Sequence, residues 1–286
     1  MGRIDPALLD YPNYATALTL QVLLRMPMPY RLLNIQPMTG YLIGQQFSEQ
    51  NGWPREHPAY GGWGMGGDVR THPHAGHVDI SMTRYVLQAL ATTGFPPESP
   101  ISERARVFVE RCQNYDPEQA DLLDGSFYFS PVVVEKNKAG SEGERYRGYG
   151  TTTADGILCL RALSAAPSEP RLQAALRWLK VHHRSDQAPG FEEEPRKRWA
   201  QGLRYYYAAA SSEVFGGADR LQGQSLGQAM LELQRRDGSW ANPEDIVKED
   251  DPLIATPFAV RTLLSVGPDE TGPVTQIMQA ANRKSG

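Results

Sequence analysis

The 286-residue chain has no apolar run approaching the roughly 20 residues needed to cross a bilayer, and its opening Met1-Gly2-Arg3-Ile4-Asp5-Pro6 does not begin a signal peptide. A soluble, cytoplasmic protein is expected, or an exported one if a signal has been removed. It has only two cysteines, Cys112 and Cys159, without motif spacing, which excludes a disulfide scaffold. Its 29 Lys and Arg against 33 Asp and Glu form no basic stripe, which argues against nucleic acid as the main partner. Nor is there a domain linker. Glu192-Glu193-Glu194 followed by Arg196, Lys197 and Arg198 is a solvated loop whose opposite charges offset one another.

What the chain does have is a recurring turn. It stands as Gln50-Asn51-Gly52-Trp53, Asp124-Gly125-Ser126-Phe127 and Asp237-Gly238-Ser239-Trp240, with a weaker copy at Pro189-Gly190-Phe191. Such spacing signals a modular array. Glycine tolerates positive φ, so Gly52, Gly125 and Gly238 can reverse the chain at a helix end, while the aromatic that follows covers the neighbouring helix ends.

Each turn leads towards a segment with apolar residues at i, i+3, i+4 and i+7, the spacing of a helix. These segments are 79–90, 151–163 and 251–264, and a related stretch, 14–24, opens the chain with no turn before it. That leaves room for a further helix pair, or an export signal, ahead of the chain. A second, more charged helix follows in each unit, as at 103–111 and 172–179. About five such units, alternating small-and-apolar helices with amphipathic ones, suggest an inner ring sheathed by an outer one, a single domain over 1–286. The insertion from Ser130 to Tyr149 is expected to overhang one mouth of that ring as a lid or a surface for a protein partner.

With its Gly-aromatic turn and a following helix led by Thr and ending in Ala-Leu, the chain resembles the prenyltransferase and squalene-oxidase repeat family. Terpene cyclases and the β subunits of protein prenyltransferases share that repeat. The likeness runs from about residue 11 to 283 and is strongest over Asp124 to Leu163 and Gln234 to Leu264. It implies an all-α fold, an α/α toroid, and an isoprenoid or other apolar ligand bound or transformed in a central aromatic cavity.

The N-terminal halves of inner helices line the cleft of a toroid. That makes Tyr14, Asp79, Met82, Thr83, Thr152, Asp155, Tyr205, Tyr206 and Thr256 candidate lining residues, joined by Trp63 of the Gly61-Gly62-Trp63-Gly64 loop. Aromatic faces suit isoprenoid chains and stabilise carbocations through their quadrupoles. Tyr205, Tyr206 and Tyr207 point about 100° apart on a helix, so at least one faces elsewhere.

Class II terpene cyclases protonate an alkene with an Asp-x-Asp-Asp acid. The nearest match is Lys248-Glu249-Asp250-Asp251, which makes Asp250 and Asp251 candidate acids. Lys248 replaces the first Asp, and Pro252 follows where the cyclase pattern has Thr-Ala; an Asp before Pro is also the expected N-cap of a helix. These departures predict that the chain does not cyclise squalene. The Asp-Asp-x-x-Asp cluster of class I chemistry lacks its last acid here, and Asp155 and Cys159 stand four apart where the prenyltransferase zinc pattern has Asp-x-Cys.

Metal binding has one other candidate, the loop Thr71-His72-Pro73-His74-Ala75-Gly76-His77-Val78-Asp79. His72, His74 and His77 are ligand types for zinc, and a surface cluster with Asp79 as N-cap explains the same letters. No other cofactor is expected. Two alternative functions remain: a carbohydrate-active toroid with Asp79 and Asp155 as acid and base, or a non-catalytic scaffold that binds protein partners through its loops.

Overall fold

The computed structural model describes residues 11–25, 31–119, 123–216 and 220–267. The part of the repeat expected beyond residue 267 lies outside them. The described residues are all-α, with ten helices: α1 (Pro12–Arg25), α2 (Arg31–Gly44), α3 (Ile80–Thr92), α4 (Pro100–Arg111), α5 (Gly150–Ala162), α6 (Pro170–Val181), α7 (Lys197–Gly202), α8 (Arg204–Phe215), α9 (Arg220–Leu233) and α10 (Pro252–Val266). The one sheet among them is a two-stranded hairpin in the insertion, β1 (Ser141–Glu142) and β2 (Arg145–Tyr146), with Ser141 opposite Tyr146.

The chain divides into two compact units. One comprises Met1–Gly148 with Asp155–Trp178, the other Tyr149–Ala154 with Leu179–Gly286. In the first, α1 packs on α2 and α3; in the second, α8, α9 and α10 pack on one another.

The expected alternation of helix types is present. Helix α3 buries Ile80, Met82 to Leu87, Ala89 and Leu90, and every residue of α5 from Gly150 to Leu160 is buried. Helix α4 buries a stripe of Ser102, Ala105, Phe108 and Val109 at helical spacing. Its start is written in the sequence: Ser99 caps it by accepting the N–H of Ser102 at 3.2 Å, and Pro100 sits at its first turn, where no N–H is needed. Helix α10 departs from its counterparts, since it buries only Ala255, Ala259 and Thr262.

The recurring turns have the geometry their letters imply. Gly125 and Gly238 lie at φ +79° and +84°, and Phe127 and Trp240 behind them are buried. Trp240 donates its indole N–H to the Met230 carbonyl at 2.7 Å, so the ring closes the end of α9 without leaving a buried donor unpaired. Asp124 and Asp237 each accept the N–H two residues on, from Ser126 at 2.9 Å and Ser239 at 3.0 Å, which closes the turn.

Candidate active site

Asp79 ends an irregular segment and begins a buried helix. Its backbone N–H reaches the Trp63 carbonyl at 3.4 Å, beside an antiparallel bridge between Gly64 and Val78. Its carboxylate Oδ1 caps α3 by accepting the Met82 N–H at 2.8 Å, and Oδ2 lies 2.9 Å from His77 Nε2. The residue is 4% exposed. The result is a buried carboxyl group placed between a helix N-terminus and an imidazole.

Two of the expected lining residues hold this arrangement together. Thr83 donates its hydroxyl to the Asp79 carbonyl at 2.8 Å and accepts the Trp63 N–H at 3.2 Å, while the Trp63 indole donates to the Leu42 carbonyl at 2.7 Å. Trp63 and Thr83 are both fully buried and Met82 nearly so.

Asp155 belongs to a second buried cluster in the same unit. Its Oδ2 accepts the Ser81 hydroxyl at 2.6 Å, and Oδ1 lies 3.8 Å from Arg84 Nη1, with both partners of the ion pair sealed from solvent. The Arg84 guanidinium stacks 4.3 Å from the Tyr85 ring centroid, and that ring meets Tyr14 at 4.4 Å. Burial, then the charge on Asp155, pushes the Cys159 thiol well above its ordinary value, which favours the protonated thiol.

The histidines do not converge. His77 pairs with Asp79, whereas the His72 ring stands edge-on to Trp53 at 5.4 Å and to His57 at 5.6 Å, and His74 is exposed. Among the described residues no three His, Cys, Asp or Glu side chains are grouped to hold a metal ion. The trio His72, His74 and His77 expected as a metal site is therefore not brought together: His77 is held by Asp79, His72 lies against two other rings, and His74 is exposed.

In the second unit the Lys248-Glu249-Asp250-Asp251 stretch sorts differently from the expected acid pair. Asp250 and Asp251 are exposed, and Asp251 caps α10 by accepting the Leu253 N–H at 2.8 Å. Glu249 is the sealed member, 1% exposed, and burial raises its pKa to about 7. Tyr205 is buried with its hydroxyl 3.4 Å from the Ala241 carbonyl, and half-buried Tyr206 packs edge-on to Phe258 at 5.3 Å. Thr152 is buried and donates to the Tyr149 carbonyl at 3.0 Å, and Thr256 accepts the Trp240 N–H at 3.1 Å.

Three residues were missed from sequence: His77 as the partner of Asp79, Arg84, and Glu249. Only Arg84 left a usable signal, a lone cation inside an otherwise buried helical run. A pocket lies within each unit, and the one in the first unit includes His77. One, of about 120 Å³, is lined by Phe47, Met65, Arg70 and His77. The other, of about 660 Å³, is lined by His182, His183, Phe191 and Lys197.

No protein-family model and no curated protein matches the sequence. Solved structures do match in fold. A protein from Actinoplanes aligns over 90% of this chain and 66% of its own length, with TM-score 0.57 and 17% identity. The type II terpene cyclase MstE from Scytonema, without ligand, aligns over 94% of this chain and 66% of its own at TM-score 0.55 and 17% identity. An MstE variant in complex with its substrate, geranylgeranyl dihydroxybenzoate, aligns over 88% and 62% at TM-score 0.53 and 16% identity. The chain thus has the α/α-toroid fold of type II terpene cyclases and spans less than two thirds of the length of the structures it matches.

Proposed function

We propose that the chain binds and transforms an isoprenoid by protonating it, with Asp79 as the proton donor and His77 as its partner. One observation carries the proposal: Asp79 is a buried carboxyl group whose two oxygens face the Met82 N–H and the His77 imidazole. An alkene is a poor base, so the acid must be strong, and strength comes from stabilising the carboxylate left behind. The Met82 N–H and the His77 imidazole stand where that charge forms. Exclusion of water keeps the resulting carbocation from being quenched.

In the step itself, the alkene π pair takes the carboxyl proton, leaving a carbocation and the Asp79 carboxylate. The cation later loses a proton to water, and the Asp79 carboxylate takes one up from water, so that the count balances and the acid is restored. The fold shared with a cyclase that binds a geranylgeranyl chain supports an isoprenoid as the ligand class.

The test is incubation with geranylgeranyl dihydroxybenzoate and with linear polyprenyl compounds, followed by chromatography and mass spectrometry. A cyclic or isomerised product is expected, falling at least about 100-fold in Asp79→Asn. Full turnover in that variant, or no binding of any isoprenoid, would sink the proposal.

A further inference from the structure

The backbone on both sides of Asp79 is tied to one short segment of the insertion. Before it, the Val78 carbonyl accepts the hydroxyl of Ser130; after it, the Ile80 N–H donates to the Phe129 carbonyl at 3.0 Å. The bend that presents these two groups is built on Asn137. Its Oδ1 accepts the N–H of Phe129 at 2.9 Å and of Ser130 at 3.0 Å, and its Nδ2 donates to the Ser130 carbonyl at 2.9 Å. Asn137 is 6% exposed and Ser130 is fully buried, so water does not substitute for these bonds.

The same segment reaches the partner of the acid. The Phe129 ring stands edge-on to His77 at 5.6 Å, and the Lys138 ammonium caps the Phe129 ring at 4.0 Å. Three hydrogen bonds from one side chain therefore fix both the main chain that carries Asp79 and the wall against which its imidazole rests.

We infer that Asn137 is a positioning residue for Asp79, acting through Phe129 and Ser130. The inference rests on the reading of Asp79 as the acid. A proton donor must meet one alkene carbon within a few tenths of an ångström, so a displaced carboxyl group loses rate without losing ligand.

The experiment compares Asn137→Ala and Ser130→Ala with the unmodified protein, after thermal melts have shown which variants fold. The readout is the 15N resonance of His77 Nε2, with His183 of the other unit as internal reference. In folded Asn137→Ala the His77 resonance is expected to leave its hydrogen-bonded position while that of His183 stays; if this variant does not fold, Ser130→Ala, which removes the Val78 tie together with the bonds that the hydroxyl accepts from the Val132 and Val133 N–H groups, is read instead. With an isoprenoid substrate that turns over, kcat falls at least about tenfold while KM stays within about twofold. An unmoved His77 resonance in a folded variant overturns the inference. Absence of turnover with every isoprenoid, alongside a moved resonance, counts against the proposed function and leaves the positioning geometry supported.

Discussion

Glu249 closes the first turn of α8, its Oε1 accepting the backbone N–H of Tyr206 at 2.8 Å. Its Oε2 takes the Tyr205 N–H at 2.9 Å and the Asn242 amide at 3.2 Å. A carboxylate at a helix N-terminus is favoured by the local dipole. Burial nonetheless dominates and lifts the pKa to about 7, with the two backbone N–H groups pulling the other way.

A pH dependence of stability follows. The folded protein holds the Glu249 proton more tightly than the unfolded chain, so this group favours folding below the ordinary value of 4.5 and loses that contribution as pH rises through about 7. The loss is on the order of 3 kcal/mol. Glu249→Gln, which cannot ionise, should gain stability relative to the unmodified protein between pH 5 and pH 8. Denaturant melts at both pH values measure the difference; parallel curves would mean that Glu249 is not shifted.

The recurring turns give a graded prediction. Gly238 at φ +84° has only the tip of Gln234, 4.0 Å away, near the place a Cβ would occupy, whereas a Cβ on Gly125 would lie 2.7 Å from the main chain of Ala174. Gly238→Ala should therefore cost about 1 kcal/mol, from backbone strain alone. Gly125→Ala should cost more, about 2 to 4 kcal/mol, because α6 must also move. Equal melting midpoints for the two variants would contradict the packing described.

The legible part of this protein was its repeat. Turn glycines, the aromatics behind them and the apolar spacing of 79–90 and 151–163 act locally, so their letters carry the helices and their ends directly. The chemistry of the loops was not legible in the same way. His72, His74 and His77 look alike in sequence, yet only His77 reaches Asp79, because the loop geometry and the bridge between Gly64 and Val78 decide which imidazole points inward. The quartet 248–251 hid its buried member for a similar reason. Besides the nearby Asn242 amide, the partners of Glu249 are backbone N–H groups of a helix some 43 residues away, and no side-chain motif records those.

The Arg84–Asp155 pair, both members sealed from water, should be costly to break from one side. Arg84→Met leaves a carboxylate with less compensation in a dry site and is expected to destabilise by about 3 kcal/mol or more. Asp155→Asn keeps an oxygen towards Ser81 and should cost less than Asp155→Ala. Denaturation of the three variants measures this, and a change within about 0.5 kcal/mol for Arg84→Met would show that the pair carries little of the packing between α3 and α5.

Asp250 and Asp251 should separate cleanly from Asp79. Asp251 holds the first turn of α10 through the Leu253 N–H, so Asp251→Ala should cost about 1 kcal/mol, the usual worth of an N-cap. Asp250 is exposed and makes no cap, and Asp250→Ala should change stability by less than about 0.5 kcal/mol. A carboxyl group open to water is a poor donor to an alkene, since the cation it made would meet solvent. Asp250→Asn and Asp251→Asn should therefore leave isoprenoid turnover within about twofold of the unmodified protein, while Asp79→Asn removes it. Loss of product in both of the former, with Asp79→Asn active, would move the acid to the α10 cap and away from His77.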